Sequence, residues 1–89
     1  MTTRNVKIIN KVGLHARPAT FFIQKANSYK SSIWVESDTK KVNAKSLLGV
    51  LSLGIKQGMT ITLSADGPDE NEALDGIIEA IEAGLNDEA

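Results

Sequence analysis

Cysteine is absent from this 89-residue chain, which removes disulfides, thiol catalysis and thiolate metal sites together. Histidine occurs once, so a zinc site would have to be built from carboxylates, an unfavourable choice for that metal. No metal and no cofactor is expected. Aromatics make up only 4% of the residues, and no basic cluster is interleaved with them, which argues against a nucleic-acid-binding surface. The longest apolar-rich run, residues 47–55, is too short to cross a bilayer, and residues 1–5 lack the apolar run of a signal peptide. The expectation is a soluble cytoplasmic protein without membrane insertion. At this length a single domain over residues 1–89 is expected, with a modest core that needs no staples.

One further scarcity is local. The last 24 residues contain no lysine or arginine but nine acids, whereas residues 1–65 hold all 10 basic residues against Glu36 and Asp38. The net charge of −1 therefore conceals a basic body of +8 and an acidic tail of −9. A basic body suits acidic partners or phosphate, and solubility alone would also account for it.

What is present is organised around Gly13-Leu14-His15-Ala16-Arg17-Pro18-Ala19. Pro18 suits a first helical turn, where its missing N–H had no intrahelical partner. Ala19, Phe22, Ile23 and Ala26 then recur at helical spacing, predicting a helix from about residue 16 to 27 or 29. His15 is thereby expected at a helix N-terminus, beside the backbone N–H of Ala16 and the positive end of the dipole. Arg17 adds a fixed cation within one turn. A neutral imidazole has a free ring nitrogen and can act as a nucleophile. Phosphoryl transfer asks mainly for positioning and charge neutralisation, which these groups supply. No P-loop and no general base for hydrolysis accompanies them.

Elsewhere, residues 6–9 predict a strand, 33–35 a second, and 42–43 a short return after the turn Ser37-Asp38-Thr39-Lys40. Ser46 predicts the N-cap of a short helix running through Leu53 and ending near Gly54. Residues 60–65 alternate hydroxyl and apolar side chains, predicting a strand with one wet face. Asp69 and Glu72 have capping-box spacing before a helix whose apolar positions are Leu74, Ile77, Ile78, Ile81 and Leu85. Gly76 interrupts that helix, and close packing is the only reason at hand. Trp34 and Tyr29 are read as packing residues. The order β-α-β-β-α-β-α begins as a split βαβ pattern with helices over one sheet face.

Residues 13–19 resemble the active-site signature of HPr, the histidine-containing phosphocarrier family of the bacterial phosphoenolpyruvate:sugar phosphotransferase system. Lys45-Ser46-Leu47-Leu48-Gly49 and Ser52-Leu53-Gly54 resemble the family's second signature, of Gram-positive type. The resemblance implies an α+β open-faced β-sandwich: a four-stranded antiparallel sheet in the order 1-4-2-3 with three helices on one face. It implies that His15 accepts a phosphoryl group from enzyme I on Nδ1 and passes it to sugar-specific enzyme IIA, with Arg17 as counter-charge. The protein would be a carrier and not a catalyst, and a monomer. Ser46 would be the target of an HPr kinase/phosphorylase, its phosphate opposing enzyme I and favouring the catabolite regulator CcpA. Leu47, Leu48 and Leu51 would meet partners, although methionines are usual in that branch at positions 48 and 51. The Crh branch carries glutamine in place of the histidine, whereas this chain has His15. A nitrogen-linked phosphocarrier and, in another class, a small basic nucleic-acid-binding module remain the alternatives.

Overall fold

Four strands pair antiparallel in the order β1-β4-β2-β3, and three helices complete an open-faced α+β sandwich. The computed structural model describes residues 1–9 and 17–83. Along the chain they form β1 (Thr2–Lys7), α1 (Arg17–Asn27), β2 (Ser32–Ser37), β3 (Lys40–Asn43), α2 (Leu47–Ser52), β4 (Thr60–Asp66) and α3 (Glu70–Glu82). Fold class and strand order are those the resemblance implies. Leu85, together with residues 10–16, lies outside the described residues.

β1 begins at Thr2, four residues before the apolar run that marked it. Its ladder to β4 runs from Thr2↔Ala65 to Lys7↔Thr60, so polar residues form most of the strand. Backbone pairing needs no apolar side chain. Thr2 and Arg4 are held instead by Glu70 and Asp75 of α3, through hydrogen bonds and an ion pair. The turn after β2 places Asp38 at φ 56°, a left-handed conformation that aspartate tolerates better than most residues.

Phe22 of α1, Val50 of α2 and Leu74, Ile77 and Ile81 of α3 are buried with Ile33, Val35, Ile61 and Leu63 of the sheet. These residues belong to one apolar core. The alternate sheet residues form polar pairs: Thr62 donates to Asn5 at 2.8 Å, and the Thr3 and Ser64 hydroxyls lie 3.3 Å apart. Ser64 departs from the expected wet face. It is buried, with Thr3 opposite on one side and Trp34 on the other, and Trp34 itself is half-buried beneath the Lys41 ammonium.

The expected capping box at α3 does not form. Asp69 occupies the N-cap position, yet its side chain makes no capping bond. The carboxylate instead accepts from the Lys30 and Ser31 backbone N–H groups, both at 2.9 Å, and from the Ser31 hydroxyl. Those donors lie 38 and 39 residues earlier, so a local pattern could not reveal the competition. Gly67 makes the crossing possible, because a Cβ there would stand 2.7 Å from Ser31 Cα.

Gly76 also finds its reason. A Cβ at this position would fall 1.8 Å from the Tyr29 hydroxyl oxygen and 3.1 Å from Lys25 Cε. The missing side chain is a notch in α3 that receives Tyr29, two residues past the end of α1. Gly76→Ala would gain up to about 1 kcal/mol of helix propensity. It would also drive the ring out of its seat, a strain of roughly 1–3 kcal/mol. The expected net result is a destabilised protein in urea unfolding, and Gly76→Ala combined with Tyr29→Ala should relieve the strain component.

Candidate functional site

His15 and Ala16 lie outside the described residues, so the site is built from its frame. On the incoming side backbone bonding continues one residue past the end of β1: Ile8 N–H donates to Met59 O, and Gly58 N–H donates to Ile8 O, both at 2.8 Å. The Ile9 carbonyl then accepts from Gln57 Nε2 at 3.2 Å. On the outgoing side Arg17 opens α1. Pro18 and Ala19 are buried, which pins the first turn against the core, while Arg17 is exposed. The guanidinium is therefore available to an anion in solvent. A helix's first turn presents N–H groups without intrahelical acceptors, which suits an anion placed there.

α2 contributes the second element. Ser46 has extended backbone, and its Oγ accepts from Gly49 N–H at 3.1 Å, the N-cap geometry expected from sequence. Ser46 itself is exposed. Gly49 lets α2 lie close to β3, since a Cβ there would be 3.3 Å from both Val42 Cβ and Ser46 Oγ. The preceding residue ties this segment to α1: Lys45 Nζ donates to the Tyr29 carbonyl at 2.8 Å, and Asn27 Nδ2 to the Lys45 carbonyl at 3.5 Å.

The three leucines of α2 part company. Leu48 is 81% exposed and Leu47 41%, whereas Leu51 is half-buried against the core beside Val50. The neighbouring helix α1 leaves Phe21 39% exposed. Sequence reading passed over Phe21, although it falls between the stripe positions Ala19 and Phe22 and so points away from the core. Gln57 was passed over too. Nothing local in the sequence signals a side chain aimed at residue 9.

Charge follows the helices. α1 carries Arg17 and Lys25 and α2 no charge, with Lys45 just before it and Lys40 Nζ 3.4 Å from the Ser52 carbonyl at its end. α3 bears Glu70, Glu72, Asp75, Glu79 and Glu82 and no base. Two carboxyls titrate below their usual range. The Ser31 hydroxyl and the Lys30 and Ser31 N–H groups hold Asp69 at about 2, and the Thr2 hydroxyl with the Gly67 N–H lowers Glu70. Both bind β-strand and loop to α3, and neither is on the helices that carry Arg17 and Ser46. Among the described residues no group of three or more His, Cys, Asp or Glu could hold a metal ion, and no helix is long and apolar enough to cross a membrane.

The family described as PTS HPr component phosphorylation site matches residues 2–83. The HPr-like protein Crh of Halalkalibacterium halodurans is 50% identical over 82 residues, which cover 92% of this chain and 98% of that protein. Among solved structures, HPr-C-His from Thermoanaerobacter tengcongensis superposes with a TM-score of 0.93 at 50% identity, covering 96% of each chain. The phosphocarrier protein HPr of Bacillus anthracis gives a TM-score of 0.86 at 42% identity, covering 88% of this chain and 93% of that one.

Proposed function

The chain belongs to the HPr family of the phosphotransferase system, and from that membership we propose that it is a cytoplasmic phosphocarrier charged at His15. One observation carries the reading: the matched span contains the chain's sole histidine, two residues before the exposed Arg17 that opens α1. In the proposed cycle the lone pair of His15 Nδ1 attacks the phosphorus held by phospho-enzyme I. The new P–N bond forms as the donor's bond to phosphorus breaks, and the proton on Nε2 stays in place. An enzyme IIA nucleophile later reverses the step. The Arg17 guanidinium offsets phosphate charge through charge-assisted hydrogen bonds worth about 1.5–3 kcal/mol, with the Ala16 N–H as a further donor. The protein relays the group and does not turn over substrate of its own, so it is a carrier and not an enzyme.

Partner docking is assigned to Phe21, Leu47 and Leu48, apolar side chains exposed on two neighbouring helices, of which α1 carries Arg17 and Lys25 and α2 is uncharged and follows Lys45. Acidic partner surfaces with an apolar centre fit that chemistry. Leu51, half-buried, contributes mainly by supporting α2. Incubation with phosphoenolpyruvate and enzyme I is expected to place an acid-labile phosphate on residue 15. An acid-stable label, or none, overturns the reading.

Ser46 is proposed as a regulatory phosphorylation site for an HPr kinase/phosphorylase, linked to carbon catabolite control through CcpA. Its exposure supports access by a kinase, and its place immediately before Leu47 and Leu48 supports an effect on docking. A phosphate there adds about two negative charges to a surface that meets acidic partners. Ser46→Asp, a partial mimic, should slow charging by enzyme I several-fold without lowering the melting temperature appreciably. Added salt should narrow the difference, since screening weakens exposed charges. A difference that ignores salt would exclude the electrostatic cause.

A further inference from the structure

We propose that Gly49 is a positioning residue for phosphorylation of Ser46, because its bare Cα keeps open the space in which the serine hydroxyl is presented. The inference rests on the reading of Ser46 as a kinase target. Its structural ground is the contact between these two residues at the start of α2. Gly49 N–H donates to Ser46 Oγ at 3.1 Å, and a Cβ at Gly49 would lie 3.3 Å from the same oxygen and 3.4 Å from Ser46 Cβ. One residue thus both holds the hydroxyl and leaves it room.

The surroundings of that space are held from every side but one. Opposite the serine, a Cβ at position 49 would meet Val42 Cβ at 3.3 Å. Val42 does not yield readily, since β3 pairs it with Val35 of β2 and it packs against the core. The backbone leading to Ser46 is equally fixed. Ser46 N–H donates to Asn43 O at 3.0 Å, Lys45 N–H to Asn43 Oδ1 at 2.8 Å, and Lys45 Nζ to the Tyr29 carbonyl at 2.8 Å. Gly49 is tied down too, its carbonyl accepting from the Ser52 hydroxyl at 2.6 Å. The part free to move is the Ser46 side chain, by rotation about χ1 into another staggered well. A methyl group at position 49 therefore turns Oγ away from the N–H that now holds it.

That rotation matters because Oγ is the attacking atom. Oγ forms a bond to the γ-phosphorus of ATP while the bond from that phosphorus to its bridging oxygen breaks; ADP leaves, and the hydroxyl proton passes to a base on the kinase. The Gly49 bond uses one lone pair of Oγ, and among the described residues no other bond engages it. The second lone pair and the proton are left for the exchange. A nucleophile misplaced by about 1 Å can lose up to about a hundredfold in rate. Stability should respond far less. Gly49→Ala gives up a capping bond and gains helix propensity, and these opposing effects are of similar size.

Phosphorylation of the full chain by an HPr kinase/phosphorylase with ATP tests this, with Ser46→Ala locating the label. Gly49→Ala should lower kcat about tenfold and leave KM near wild type, because the added methyl sits between Val42 and Ser46. Its melting temperature should stay within a few degrees of wild type. Ser52→Ala removes the bond to the Gly49 carbonyl while keeping position 49 bare, and it should be phosphorylated at the wild-type rate. By NMR, the Ser46 Hα–Hβ couplings should report a changed χ1 in Gly49→Ala, and the amide of residue 49 should exchange faster with solvent. A wild-type kcat for Gly49→Ala overturns the assignment, as do unchanged couplings or an equal loss in Ser52→Ala, which would mark general loosening of α2. Wild-type protein that takes no phosphate at residue 46 overturns the kinase-target reading and this inference with it; normal labelling of Gly49→Ala overturns the inference alone.

Discussion

His15→Ala is expected to abolish charging by phospho-enzyme I, a loss of more than about a thousandfold, because nothing else in the chain can replace the nucleophile. There is no second histidine and no cysteine. Serine and threonine hydroxyls are poor nucleophiles without an adjacent base. The substitution should leave the fold intact. Apart from Ala44 and Ile55, the core side chains from Phe22 to Ile81 lie in the helices and sheet, and the ladder that locks β1 ends before residue 10. Near-unchanged thermal unfolding together with lost labelling would separate chemistry from stability. His15→Gln should behave identically in charging. Residual acid-labile label on the alanine variant would place the acceptor elsewhere, and partition of label after peptide digestion would find it. Arg17→Ala is a useful companion. It keeps the nucleophile and removes the counter-charge, so it should slow transfer without abolishing it.

How much of this was legible beforehand differs from element to element. The strict alternation of residues 60–65 gave β4 almost to its ends, because a strand in the middle of a sheet must bury one face completely. β1, an edge strand with polar residues along most of its length, carries no such imprint; its partner supplies the order. Ser46 declared itself as an N-cap because capping is a local bargain between one side chain and one N–H three residues on. Asp69 offered the same local signal and meant something else. Its carboxylate had better donors in Lys30 and Ser31, brought near by the sheet and α1, and three donors outweigh a single capping bond. The leucines of α2 could not be sorted for a related reason. Six residues make less than two helical turns, too short for a periodicity to show which side faces the core. Gly76 looked like a defect in α3 until Tyr29, 47 positions earlier, filled the notch. The lone histidine, bounded in sequence by Gly13 and Pro18, needs no tertiary information to be noticed.

Replacing Asp69 should produce the largest stability loss among the polar positions. Asp69→Ala removes the acceptor for two backbone N–H groups and one hydroxyl at once, and Ser31, which holds two of those donors, is buried. A buried donor left without a partner bears its full desolvation cost. The loss should also depend on pH in a defined direction. In the folded protein the carboxyl titrates at about 2, below the value of 3.8 that it takes when free of these donors. A depressed folded-state value means that the ionised form stabilises the fold. That contribution is complete above about pH 4 and fades as pH falls towards 2. Wild type should therefore unfold at a clearly higher temperature than Asp69→Ala near neutral pH. The gap should shrink between pH 4 and 2, leaving only what the neutral carboxyl contributes. Glu70 is also lowered, by Thr2 and the Gly67 N–H, and will weaken both proteins in acid. The difference between them isolates Asp69. Asp69→Asn sharpens the test: it retains an acceptor oxygen but no charge, so its melting temperature should fall between the other two near neutral pH and approach wild type in acid. A gap between wild type and the asparagine variant that stays constant from neutral pH down to 2 would show that the carboxylate's charge contributes nothing.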